Sequence, residues 1–291
     1  MRLNTRRLLP ATVLIFILLP WAGAQTPVNP RATKRTQALL YTLSQTASRG
    51  EVLFGHEDAV AYGIGWKNIP GASDVKSVCG DYPAVYGWDL CNIGLFPFNI
   101  DTVRFDSMRY WIKQAYRRGG IHTFSWHLQN PKTGGSSWDT TAAVRDILPG
   151  GSLHNFYKTQ LDQVADFFRR LKKGFPFRHS IPVIFRPFHE QNGWWFWWGK
   201  THCTPEEYKA LYRFTVTYLL KAKKLNNILF AYSPDVFENE AEYLAYYPGD
   251  EYVDLLGLDK YHFSTRTLDT TMHKLGTVVR LAESRGKIAA L

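Results

Sequence analysis

Cysteine is scarce in this 291-residue chain: Cys79, Cys91 and Cys203 are the full set. None belongs to a C-x-x-C pair or to a cluster with metal-ligand spacing, so no structural zinc site or dithiol redox motif is encoded, and neither a metal nor another cofactor is expected. Three thiols leave at least one unpaired. Cys79 and Cys91 are the one local pair, with a predicted strand between them, and the sequence leaves open whether they join. A G-x-G-x-x-G phosphate turn is also missing; FGHEDAVAYGIGW, the first turn after a strand, does not contain it, which argues against a dinucleotide-binding sheet. Beyond residue 24 no apolar run approaches the roughly 20 residues that cross a bilayer. Blocks of one charge sign are absent as well. The basic groups are scattered, as in Arg117-Arg118, Arg169-Arg170 and Lys172-Lys173. Most fall near the ends of predicted helices, where the dipole favours cations. The formal charge of +10 therefore reads as solvated surface, and no nucleic-acid partner is expected.

The one long apolar segment opens the chain. Arg2, Arg6 and Arg7 precede a mostly apolar stretch from Leu8 to Leu19, and Ala22-Gly23-Ala24 supplies an A-x-A cleavage site. Residues 1–24 are thus expected to be a secretory signal peptide, and the product to be secreted or periplasmic. No cysteine follows the cleavage point to carry a lipid. Without the three arginines the 35 basic residues become 32 against 25 acidic, a charge of +7. A chain 45% hydrophobic and 15% aromatic supports one large domain or two smaller ones. Residues 25–291 are expected to form one domain and a monomer.

From there short buried strands alternate with amphipathic helices. Strands are predicted at 52–57 (VLFGHE), 83–90 (PAVYGWDL), 121–127 (IHTFSWH), from Ile181 onward, 228–235 and 253–262 (ending with Asp259, Tyr261 and His262), with a seventh beginning at KIAAL, 287–291. Helices are predicted over 31–49, around Met108 to Ala115, over 153–171, from Thr204 and over 268–285. Leu153, Phe156, Tyr157, Leu161, Val164, Phe168 and Leu171 recur at helical spacing, and Thr204-Pro205-Glu206-Glu207 is a capping box with proline at the first helical position. This alternation implies a parallel sheet. Six strands end in a polar residue, the pattern of an α/β (β/α)8 barrel whose site lies at the C-terminal rim. The long connection after the third strand carries Trp138, and a loop of that length is usually functional.

The chain is organised around residues 181–199, IPVIFRPFHEQNGWWFWWG. Its first half is a buried strand by composition. Arg186, His189 and Glu190 follow where the apolar run stops. Strict alternation puts Arg186, Phe188 and Glu190 on one face, and His189 joins them only through a bulge. A carboxyl set among aromatic rings has its charged form disfavoured, which suits a proton donor. Flat rings also suit the apolar faces of sugars. Five consecutive large aromatics, Trp194 to Trp198, exceed what one face of a strand or helix can bury.

Collected in this way, the strand ends resemble glycoside hydrolase family 26, whose best-known members are retaining endo-β-1,4-mannanases. RPFHEQNGWWFWWG is similar to the family's acid/base segment, and FGHE at 54–57, SWHLQNP at 125–131 and GLDKY at 257–261 follow in family order. The resemblance implies a β-mannan-type polysaccharide substrate, with Glu190 as general acid/base. It also implies His189 as the neighbouring substrate contact, Trp195 as a stacking ring, and His127, Asp259 and Tyr261 around the sugar. Trp138 is a further candidate platform. The family's nucleophile is a glutamate at the tip of strand seven. KIAAL looks like the start of that strand, so the nucleophile is expected beyond Leu291 and the barrel incomplete, with Glu57 the nearest resident substitute. The chain as given is then expected to be inactive, with Val52, Phe54, Leu256 and Leu258 short of neighbours at an open seam. Other family specificities, mixed-linkage β-glucan or β-1,3-xylan, would use the same dyad. A non-catalytic glycan-binding barrel is the alternative of a different class.

Overall fold

The computed structural model describes residues 25–174, 178–261 and 267–291. The predicted signal peptide and His262 lie outside them. Seven parallel strands form one sheet: β1 (Gly55–Glu57), β2 (Val85–Asp89), β3 (Ile121–Trp126), β4 (Val183–Pro187), β5 (Ile228–Tyr232), β6 (Leu255–Gly257) and β7 (Ile288–Ala290). Their order in the sheet is their order in the chain. A doubly wound sheet reverses its order at a switch point; this one never does, so it is the wall of a barrel. Helix α1 (Lys34–Ser48) precedes β1. Helices α2 (Phe105–Arg117), α3 (His154–Arg170), α4 (Pro205–Thr217) and α5 (Leu268–Ser284) make return connections, and shorter helices, Asp74–Cys79 and Glu240–Ala245, serve between β1 and β2 and between β5 and β6. The predicted capping box is in place on α4: the Glu207 amide donates to the Thr204 hydroxyl at 3.2 Å and the Thr204 amide to the Glu207 carboxylate at 3.0 Å.

Side-chain alternation divides the core in two. Val183, Phe185, Ile228, Phe230 and Leu256 face outward into the layer shared with the helices, where Tyr157, Leu161, Val164 and Phe168 of α3 are buried. Ile184, Leu229, Ala231, Leu255 and Ile288 face inward, where they meet Leu39, Leu40 and Leu43 of α1. Helix α1 therefore packs onto the inward-facing apolar residues, and Arg186 lies two residues above Ile184 on the same inner face. The interior is apolar at one end and polar at the other.

The sheet is open between β1 and β7, which do not pair. Strand β1 is shorter than the sequence predicts. Val52 is 91% and Phe54 61% exposed, although the Phe54 carbonyl still accepts from the amides of Ala84 and Val85 at 3.0 and 3.1 Å. The other side of the seam differs from expectation: Leu256 and Leu258 are buried, because both pack into the layer shared with the helices. Cys79 and Cys91 are not joined. Cys79 ends an exposed helix while Cys91 is buried just past β2, and Cys203 is free as well.

Candidate active site

The site begins where β4 stops obeying alternation. Phe188 and Glu190 adopt left-handed backbone conformations, with φ of 53° and 55°, uncommon for residues with a Cβ. Three hydrogen bonds hold this turn. The Glu190 amide donates to the Ser233 carbonyl at 2.8 Å, the Tyr208 hydroxyl to the Phe188 carbonyl at 2.8 Å, and the Trp198 indole to the His189 carbonyl at 2.9 Å. Two expectations are thereby corrected. Phe188 does not share the face of Arg186; it turns outward into full burial against Trp126, Trp197, Trp198 and Tyr208. His189 reaches the cleft beside Glu190 through these left-handed residues, not through a strand bulge.

The aromatic run divides by role. Phe196, Trp197 and Trp198 are buried; Trp197 and Trp198 are core, while Phe196 lines the cleft against His127, Trp138 and His189. Trp197 donates its indole N–H to the Leu128 carbonyl at 2.9 Å, tying the turn to the loop after β3. Trp195 is half-buried and donates from Nε1 to Glu190 Oε2 at 2.7 Å. A Cβ on Gly193 would come within 2.5 Å of the Trp195 ring, so the glycine is what lets the indole fold back toward Glu190. Trp194 points outward, 65% exposed.

A cleft of about 640 Å³ gathers Glu190, His127, His189, Trp195, Asp259, Tyr261 and Trp138, the full set of sequence candidates. Trp138 arrives from the long loop after β3 and stacks on His127, centroids 5.2 Å apart and planes 17° off parallel. His189 stands edge-on to His127 at 4.7 Å. Burial, then the nearby Arg186 and His127, holds the His189 pKa well below the ordinary histidine value, so this imidazole is neutral. Arg186 forms an ion pair with Asp259, and the Ser233 hydroxyl donates to the other Asp259 oxygen at 2.7 Å. Burial still raises the Asp259 carboxyl, with Arg186 opposing it. Glu190 is raised to about 7, by burial first and by the Asp259 charge second, with the Trp195 bond pulling the other way. The result is a carboxyl poised to hold or release a proton near neutrality.

Sequence reasoning missed other carboxylates lining the cleft: Asp89, Asp101 and Asp235. Asp89 had a visible signal, as the polar end of β2. It accepts from the Ser125 hydroxyl at 2.7 Å and the Cys91 amide at 2.6 Å, and its Oδ2 lies 2.7 Å from His127 Nδ1. Burial works to raise this carboxyl, but the His127 bond and charge, with Ser125 and Cys91, outweigh it and keep the group below the ordinary carboxylate value. Asp89 thereby fixes the tautomer and plane of His127. Asp101 lies in a loop, where no periodicity marks it; Asp235 closes the strand predicted over 228–235, though the observed strand stops at Tyr232. Glu57 lies in the cleft at the tip of β1. Desolvation by the surrounding protein, then Asp58 and Asp89, raises its carboxyl well above the ordinary value, although solvent reaches the residue from the mouth. Among the described residues no group of three or more His, Cys, Asp or Glu side chains is placed to hold a metal ion.

Residues 28–291 match the family profile described as Glycosyl hydrolase family 26. A mannan endo-1,4-beta-mannosidase from Bifidobacterium adolescentis is 38% identical over 276 residues, 89% of this chain; the match spans only 27% of that protein. A Bacillus subtilis enzyme of the same description is 31% identical over 82% of this chain and 67% of its own length. Among solved structures, a family 26 beta-mannanase from Bacteroides ovatus superposes with a TM-score of 0.85 at 45% identity, covering 89% of this chain and 76% of that one. With the profile matched across nearly the whole described chain and the barrel shared, this chain belongs to glycosyl hydrolase family 26.

Proposed function

We propose that this protein hydrolyses β-1,4-linked mannan within the chain and with retention of configuration, Glu190 acting as general acid/base. The observation that carries the reading is a carboxyl with a pKa of about 7, held by an indole N–H at 2.7 Å in a cleft walled by rings and by hydroxyl-binding groups. The relatives described as mannan endo-1,4-beta-mannosidases support the choice of sugar.

In this mechanism protonated Glu190 donates to the glycosidic oxygen as the bond breaks. A second carboxylate attacks the anomeric carbon to give a glycosyl-enzyme, and ionised Glu190 then activates the water that releases the sugar. The second group is assigned to a glutamate at the tip of strand seven, past Leu291, and retention sets the two carboxyls about 5–5.5 Å apart. Glu57 suits that role less well, since desolvation, then Asp58 and Asp89, disfavour its charged form and a nucleophile must be ionised. Neutral His189 and the Asp89-oriented His127 are assigned to substrate hydroxyls, as are Asp259 and Tyr261, while Trp195 and Trp138 are assigned to sugar faces.

Glu190→Ala tests the assignment in the full-length protein. Hydrolysis of mannan should fall by about 10²–10⁴-fold, the usual contribution of a positioned acid/base. An aryl mannoside with an acidic phenol leaving group should keep most of its first-step rate, because it needs little protonation. Equal losses on both substrates would count against Glu190. Running wild type on mannan, glucomannan and xylan decides the backbone sugar.

A further inference from the structure

Trp194 is the one ring of the aromatic run that neither the core nor the cleft accounts for. It is 65% exposed, yet its backbone is tightly held. The Gly193 amide donates to the Glu190 carbonyl at 2.9 Å and the Lys200 amide to the Gly193 carbonyl at 3.0 Å. His202 Nε2 lies 2.8 Å from the Trp194 carbonyl oxygen and 3.0 Å from the Thr201 hydroxyl. A large apolar side chain is thus presented to water from a fixed backbone. It is also in register with the site: the Trp194 and Trp195 rings are 6.3 Å apart with planes 77° from parallel, and Trp195 is the ring bonded to Glu190. Two nearly perpendicular rings cannot stack on the same sugar. The outer ring is left open to a different unit of a polymeric chain, and a rigid aromatic side chain gives up little conformational freedom on binding.

We infer that Trp194 is a stacking platform for a sugar beyond the unit held at Trp195, and that it sets the protein's preference for longer chains. This rests on the reading of the cleft as a β-glycan site. Lys200 and Thr201 are both exposed and belong to the same turn, through the Lys200 amide on Gly193 and the Thr201 hydroxyl on His202. His202 is a positioning residue that fixes the carbonyl behind the indole.

The test is calorimetric titration of the full-length protein, carrying Glu190→Gln to prevent turnover, with mannotriose, mannohexaose, cellohexaose and xylohexaose. Trp194→Ala should lower the hexaose-to-triose affinity ratio about tenfold, equivalent to 1.4 kcal/mol, with the thermal midpoint unchanged. Trp194→Phe should keep most of the ratio. An unchanged ratio in Trp194→Ala overturns the proposal. So does an equal loss for both lengths with a lowered midpoint, because the ring then acts through the fold. Should the parent prefer cellohexaose or xylohexaose, and Trp194→Ala weaken that binding, the platform stands and the mannan assignment falls. If no hexaose binds the parent, both fall.

Discussion

Glu190→Gln should stabilise the protein increasingly as the pH rises from about 4.5 to about 7. In the fold the Glu190 carboxyl moves from its ordinary 4.5 to about 7, so the folded state holds this proton more tightly than the unfolded chain. The sign follows from linkage: the contribution is fully present below pH 4.5, declines between 4.5 and about 7, and is gone above that. At 1.36 kcal/mol per tenfold change in proton affinity, the charged form costs the fold about 3 kcal/mol. Little discount for screening applies, since Glu190 is only 7% exposed. Glutamine keeps the shape and an oxygen acceptor for the Trp195 indole but has no proton to lose. The stability gain of the variant should be near zero at about pH 4, rise through the window from 4.5 to about 7 and level off at about 3 kcal/mol above it, or about 6 °C in thermal midpoint for a domain of this size. Asp259, Asp235, Arg186 and Tyr261 face the same carboxyl and are common to both proteins, so the difference between them isolates Glu190. Urea titrations of both proteins across this pH range give the curve. A difference that stays constant with pH refutes the claim that Glu190 carries a perturbed proton.

Two further outcomes follow from the same geometry. Arg186→Met leaves the half-buried Asp259 without its cation and should destabilise the protein by about 1–3 kcal/mol near neutral pH, measurable by denaturant titration; Asp259→Asn added to it should restore much of the loss. Gly193→Ala places a Cβ against the Trp195 ring, so oligosaccharide affinity should fall by about 1–3 kcal/mol. Because the lost indole bond was lowering the Glu190 pKa, the alkaline limb of the pH–rate profile should also move upward.

The periodicity of the chain by itself determined the barrel. Hydrophobic alternation and helix signals are local, so strands at 121–127 and 228–235 and the cap at Thr204 could be read from neighbouring residues alone. Polar residues at strand ends made Glu190, His127 and Asp259 legible as cleft residues for the same reason. Only the tertiary structure decided which way each side chain near residue 190 faces. Phe188 enters the core and His189 the cleft because bonds from Ser233, Tyr208 and Trp198, all distant or non-periodic in sequence, hold two residues in left-handed conformations that local preference opposes. The division of the five aromatics into two core rings, one buried ring lining the cleft, one bonded to Glu190 and one in water depends equally on the bond to the Leu128 carbonyl and the room left by Gly193. Asp89 shows the boundary between the two kinds of information. Its place at the end of β2 was written in the chain, but its hold on His127 exists only because adjacent parallel strands bring residues 38 apart within 2.7 Å.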